Sequence, residues 1–247
     1  MPVVISPPRG PILLDTEDLR QDVFSSFGTV IENPRPSLMP SSHIEELPPN
    51  AVRANQGSAL KFLDVTCMKD FYRSAPSGMP AKAVMNMFVC APRNLVPSQA
   101  GNIEGLLPIE ILERHPYTTQ TFIPLGISPS QAYEARYLII VAPSLPPSAE
   151  DSSLPVPEAS DLPGRGLPDL TKIKAFVANG SQAVTYGAGT WHAPMVVVGS
   201  KPIDFVVVQF ANGVGIEDCQ EVDWDGRQRS ISVAVPRVEL DRLACKL

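Results

Sequence analysis

Proline spacing is what most limits the folds open to this chain. Twenty-seven prolines and sixteen glycines are spread through 247 residues, and each proline removes a backbone donor and breaks helix interiors. Between them lie short apolar or alternating runs: AVMNMFVC (83–90), IEILER (109–114), TQTFIPLG (119–126), ARYLIIVAP (135–143), MVVVG (195–199) and IDFVVVQF (203–210). These runs have strand length and strand composition, and Pro or Gly bounds them. Many short strands with few helices predict a mainly β fold, a barrel or a two-sheet jelly roll.

Two helices are expected. TEDLRQDVFSSFG (16–28) spaces Leu19, Val23 and Phe27 at i, i+4, i+8 between a Thr/Asp start and a glycine stop. DLTKIKAFVANG (169–180) has Asp169 as a cap, a face of Leu170, Ile173 and Phe176 or Val177, and Asn179-Gly180 as its end. The stretch from Pro143 to Pro168 has no period and reads as an exposed Pro/Ser-rich insertion at about 144–168. The strand-like segments on either side need each other to close a sheet. The whole of 1–247 is therefore expected to be one domain.

With 44% hydrophobic residues the chain can fill an interior, and a net charge of −6 repels phosphate backbones, so nucleic acid is not an expected partner. No apolar run reaches the roughly 18–20 residues of a membrane span. The start, MPVVISPPRGP, has no basic-then-apolar signal pattern, so secretion is not expected. Cys67, Cys90, Cys219 and Cys245 are far apart and form no CxxC pair, which fits a reducing compartment. The final Cys245-Lys246-Leu247 resembles a relaxed peroxisomal address, so the expected location is cytoplasmic or peroxisomal.

Only three histidines are present, His43, His115 and His192. His43 lies in a polar loop and reads as solvated. His115 sits in ERHPYTTQTF, where Glu113 and His115 are two apart and share a face if the strand continues. Gln120 follows a turn and can return to that face. His192 sits in TYGAGTWHAP, where Gly187, Ala188 and Gly189 allow a tight turn and a close approach to a ligand. Imidazole suits proton transfer near neutral pH and divalent-metal binding alike. His115, Gln120 and His192, with Glu113 or Tyr186, could hold a divalent metal ion, although three histidines and a glutamate are not available as a set. A metal-free acid/base site fits the same residues, so no cofactor is certain. Upstream, NQGSALKFLD offers Asn55, Lys61 and Asp64 as groups for a polar substrate.

Several of these segments occur in the order found in ureidoglycolate lyases. FSSFGTVIE, NQGSALKFLD, IEILERHPYTTQTFIPLG, KIKAFVANGSQAVTYGAGTWHAPM, DFVVVQF and DCQEV are similar to that family over most of residues 16–222. Its recognisable signatures look like ERHP-x3-Q-x-FIP and N-G-x5-Y-x2-G-x-WH-x-P, and both are present. The resemblance implies a cupin-like β-barrel and a homodimer. It also implies a small-molecule substrate, ureidoglycolate, split to glyoxylate and urea in allantoin and purine breakdown. It maps the site onto His115, Gln120, Tyr186 and His192, with Lys61 where the family often has a basic residue. Together with the reading of the residues themselves, this puts His115 and His192 in catalysis with Glu113 as the competing base, and Lys61, Asn55, Gln120 and Tyr186 in substrate binding. Many members read WHHP where this chain has Ala193, so a second histidine there is not needed. Two other readings of the residues stand beside this one. One is a metal-dependent isomerase of the same barrel type, and the other is a ligand-binding barrel without turnover.

Overall fold

The computed structural model describes residues 2–6, 10–41, 46–158, 162, 165–224 and 230–237. His43 and the C-terminal Cys245-Lys246-Leu247 lie outside the described residues.

The most apolar strand organises the rest. Arg136–Ala142 is buried along its whole length, and strand geometry sends alternate residues to opposite faces. Leu138, Ile140 and Ala142 enter one apolar cluster, with Leu107, Trp191, Val222, Ile231 and Val233. Tyr137, Ile139 and Val141 enter another, with Phe122, Phe176, Val184, Tyr186, Phe205 and Val207. A fully buried aliphatic side chain contributes about 1.5–3 kcal/mol, so this strand anchors both cores.

The chain is accordingly layered. The central sheet runs in the order Val3–Ile5, Gln220–Trp224, Ile111–Arg114, Trp191–His192, Arg136–Ala142, Lys174–Asn179, Thr16–Asp18, with Val196–Val198 also paired to Arg136–Ala142. On one side lies a five-stranded sheet, Gly28–Ile31, Ala183–Tyr186, Gln120–Leu125, Ile203–Ala211, Lys82–Cys90. On the other lies a three-stranded sheet, Ile12–Leu14, Ile231–Pro236, Ile103–Pro108. Ala51–Ala54 and Ala59–Phe62 form a separate hairpin. This is a mainly β fold of stacked sheets with a few short helices, consistent with the cupin-like barrel or jelly roll read from the sequence. All six quoted runs contain strands.

Both expected helices need correction. The first is a single turn, Gln21–Phe24, and Thr16–Asp18 is instead a strand parallel to Ala175–Val177. Leu19 and Phe27 are nevertheless buried in one cluster with Phe24. The second is not an α-helix. Asp169 does accept from Thr171 N, but it caps only the 3-10 turn Leu170–Lys172. Lys174–Asn179 then pairs along its length with Arg136–Ala142. Its Ala175 and Phe176 enter opposite cores, which a strand allows and a one-sided helix does not.

The Pro-rich segment is also less exposed than expected. Residues 145–150 are exposed, but Leu154 and Leu167 are buried in the core shared with the three-stranded sheet. Leu145 N donates to Leu167 O, and Asp169 N donates to Pro143 O. The two arms therefore clasp each other at the root and tuck leucines under the sheet.

Candidate active site

Ile111–Arg114 runs between Trp191–His192 and Gln220–Trp224, and the register sets His192, Glu113 and Glu221 in one row. The alternate residues Leu112, Trp191 and Val222 fill the core beside the three-stranded sheet. Glu113 and His192 thus face the five-stranded sheet, where Tyr186, Gln120 and Gln209 form a second row across its strands. The rows meet directly: the Tyr186 and His192 rings stack with centroids 4.0 Å apart.

Backbone carbonyls fix both histidines. His115 Nδ1 lies 2.6 Å from Asp218 O, so that nitrogen carries the hydrogen and Nε2 is a lone pair. Gln120 Nε2 therefore donates to His115 Nε2 at 2.8 Å, and its second hydrogen goes to Gln209 Oε1 at 2.7 Å. Gln120 Oε1 is left buried without a partner. His192 repeats the pattern, with Nδ1 donating to Thr190 O at 2.9 Å. Its Nε2, on a side chain only 1% exposed, has no hydrogen-bond partner, and Glu113 Oε1 stands 3.5 Å away. A buried polar atom without a partner costs about 1–3 kcal/mol, and two of them, Gln120 Oε1 and His192 Nε2, sit in this one site.

The protonation states follow. Burial, then the neighbouring His192, pushes His115 down to about 4, so it is neutral at pH 7. Burial pushes the Glu113 carboxyl up, but the imidazoles of His192 and His115 outweigh it and hold the group below its ordinary value. Glu113 is a carboxylate. Burial and then Glu113 raise the Cys219 thiol to about 12, so it stays protonated and donates to Glu113 Oε2 at 3.9 Å. Burial likewise keeps Tyr186 a phenol. Glu113 Oε1, His192 Nε2 and His115 Nε2 thus converge on one point, an arrangement suited to a cation or a shared proton.

Ligand atoms of Glu113, His115 and His192 lie within 4.8 Å of one another, a group that could hold a metal ion. It differs from the expected set of His115, Gln120 and His192. The Asp218 carbonyl makes His115 Nε2 an acceptor, which obliges Gln120 to present its amide nitrogen rather than its oxygen.

The glycine turn does approach something closely, but it is the chain itself. Gly189, at φ +80°, donates its N–H to His115 O. Gly187 donates to Phe27 O, and Thr190 Oγ1 bonds the same carbonyl. A side chain at Gly28 would place its Cβ 1.9 Å from Thr185 O. The turn therefore locks the two histidine-bearing segments together.

The sequence model of the family described as ureidoglycolate lyase matches residues 11–230. A ureidoglycolate lyase of Schizosaccharomyces pombe is 36% identical over 202 residues, covering 82% of this chain and 86% of that protein. One from Saccharomyces cerevisiae is 34% identical over 196 residues, covering 78% and 83%. One from Pseudomonas syringae pv. tomato is 30% identical over 218 residues, covering 88% and 94%. The chain belongs to the ureidoglycolate lyase family.

Of the site residues expected from the sequence, Glu113, His115, Gln120, Tyr186 and His192 come together. Asn55 and Lys61 do not join them. Both are exposed in the separate hairpin, where the alternate residues Leu60 and Phe62 line a cavity of about 510 Å³ with Ile31, Leu38 and Ile123. Among the described residues no hydrogen bond or ion pair links Lys61 to the histidines. Sequence reasoning missed Gln209, which has no flanking motif and is identified only by its register opposite Gln120. It also missed Arg114, between the two site residues it did name. The Arg114 guanidinium lies 4.4 Å over Trp191 and donates to Gln220 Oε1 and to the Arg165 and Gly166 carbonyls. Trp191 Nε1 bonds Gly166 O as well. The returning arm of the Pro-rich segment is thereby pinned behind the strands that carry Glu113 and His192.

Proposed function

We propose that the protein is a ureidoglycolate lyase, converting ureidoglycolate to glyoxylate and urea. One observation carries the chemistry: the buried, unpartnered His192 Nε2 facing the Glu113 carboxylate at 3.5 Å. The Glu113 carboxylate stabilises the imidazolium formed when His192 takes a proton, so the pair is a base that can also return what it takes. The substrate carries a hydroxyl and a ureido nitrogen on one carbon. His192, backed by Glu113, takes the hydroxyl proton; the O–H pair becomes the new C=O bond of glyoxylate. The C–N pair leaves with the urea nitrogen, which receives the proton from the same imidazolium. His115, neutral at pH 7, acts by holding Gln120, while Tyr186 stacks on His192 and fixes the plane of its ring. Within the shared site this positioning supplies much of the rate.

Glu113, His115 and His192 would also hold a divalent cation once the Gln120 amide withdrew from His115, and such an ion would polarise the substrate hydroxyl as a Lewis acid. Loss of turnover on chelation, restored by added metal, marks that variant of the mechanism. Unchanged turnover leaves the proton pair alone in the role.

The expected homodimer has a surface available to it. Met85, Met87 and Val89 alternate along the edge strand Lys82–Cys90 and are 75%, 55% and 71% exposed. The register aligns them with Val208, Val206 and Asp204, and beyond these with Thr121, Ile123 and Leu125. An apolar sheet face of this kind favours association, and a second copy is the occupant proposed.

A product assay tests the central reading. Equimolar urea and glyoxylate from purified protein support it. Ammonia in place of urea would indicate hydrolysis of the same substrate, and no product at all would leave a binding barrel.

A further inference from the structure

Gln209 is the one polar side chain of the inner row that neither the motifs nor the proton chemistry accounts for. It lies opposite Gln120 across two hydrogen-bonded strands, as Tyr186 does on the other side. Its Oε1 accepts from Gln120 Nε2 at 2.7 Å. Two amides side by side usually close a ring of two hydrogen bonds, each donating to the other. Here the ring is open. Gln120 spends both its hydrogens, on His115 and on Gln209, and its Oε1 receives nothing. Among the described residues Gln209 Nε2 has no partner. The pair therefore offers one unsatisfied acceptor, on Gln120, and one unused NH2 group, on Gln209, the two kinds of group that an amide edge pairs with.

We propose that Gln209, together with Gln120, reads the terminal amide of the substrate's ureido group. Gln209 Nε2 donates to the ureido carbonyl, and the terminal NH2 donates to Gln120 Oε1. The inference rests on the lyase reading and deepens it: Gln209 is a specificity-determining residue, and its partner is the half of the substrate that leaves as urea. A site built to hydrogen-bond a group discriminates against an analogue lacking it, because its own polar atoms are then left unpaired. The orphaned oxygen of Gln120 is such an atom.

The test compares two substrates on the full-length protein. One is ureidoglycolate; the other is N-acetyl-2-hydroxyglycine, in which a methyl group replaces the terminal NH2 and acetamide replaces urea as the product. Wild-type protein should favour ureidoglycolate in kcat/KM by at least about a hundredfold. Gln209→Glu keeps the acceptor for Gln120 and removes only the donor, and Gln209→Leu removes both. Each variant should lower the preference at least tenfold, mainly through ureidoglycolate. The charge added by glutamate acts on both substrates and cancels in the ratio. Circular dichroism and thermal melting confirm that the variants fold, and Gln209→Asn, which retains an amide on a shorter arm, should recover part of the preference. If wild-type protein makes urea but the preference ratio survives both substitutions, Gln209 does not read the ureido group. If wild-type protein makes no urea, the lyase reading fails on its own.

Discussion

The two faces of the five-stranded sheet each depart from the usual order of polar and apolar residues, the inner one only at its site end. Along Gln120–Leu125 the inward residues at the site end are Gln120 and then Phe122, while the outward ones include exposed Ile123 and Leu125. Along Ile203–Ala211 the inward Gln209 follows Val207, while Val206 and Val208 face outward with Met87 and Met85. An ordinary half-buried strand buries its apolar side and wets the other. Where the inner face turns polar there is chemistry to perform, and where the outer face stays apolar there is surface to cover. Each anomaly makes sense of the other, since both come from one alternating register.

The comparison is most easily broken at its inner face. His192→Gln should reduce kcat by about 10²–10⁴-fold, measured as urea release, while the mass in sedimentation stays that of wild type. A variant that kept its rate would remove the proton pair from the mechanism.

The next effect is in stability. The ordinary value for His115 is 6.5 and the fold lowers it to about 4. Between those limits the unfolded chain binds the extra proton, so stability falls as pH drops from 6.5 to 4, by about 3 kcal/mol in all. Urea titrations across that range should show the slope, and His115→Gln should flatten it. A slope unchanged in the variant would assign the acid sensitivity elsewhere.

The outer face should answer differently. Met87→Glu with Val89→Glu should convert the proposed dimer to a monomer in sedimentation without unfolding the chain, because both side chains are largely exposed in the single chain. Wild-type protein sedimenting as a monomer at micromolar concentration would leave this face without its proposed occupant. The smallest effect is expected at Lys61, exposed in the hairpin. Lys61→Met should change KM by less than about twofold, in line with the small effects of surface substitutions. A tenfold rise would show that the lysine reaches the substrate.

Much of this was legible in the residues. Strand positions followed from period and punctuation, and the pairing of Glu113 with His115 followed from their spacing. Leu19 and Phe27, spaced in the sequence as one apolar face, are both buried although they flank a single helical turn rather than lie on a helix, because burial depends on which residues are apolar and not on the conformation that delivers them. Lys174–Asn179 was misread because a strand buried on both faces has the same apolar density as a helix stripe. Asp218 and Thr190 were invisible for a different reason. They serve the site through their carbonyls, which every residue possesses, and no side-chain pattern marks that use.

That last point bears on how such a site is inherited. The hydrogen on each imidazole is placed by a peptide oxygen, at 218 and at 190, rather than by a carboxylate that one base change could delete. Substitutions at those two positions do not themselves reverse which ring nitrogen is basic. The Thr190 hydroxyl on Phe27 O and the Asp218 carboxylate on Tyr72, Asn212 N and Gly213 N nevertheless help to hold the main-chain path that sets it. Insertions or deletions near them break that path. Across distant descendants of this chain, the lengths of the segments around 187–192 and 215–219 should therefore be held strictly.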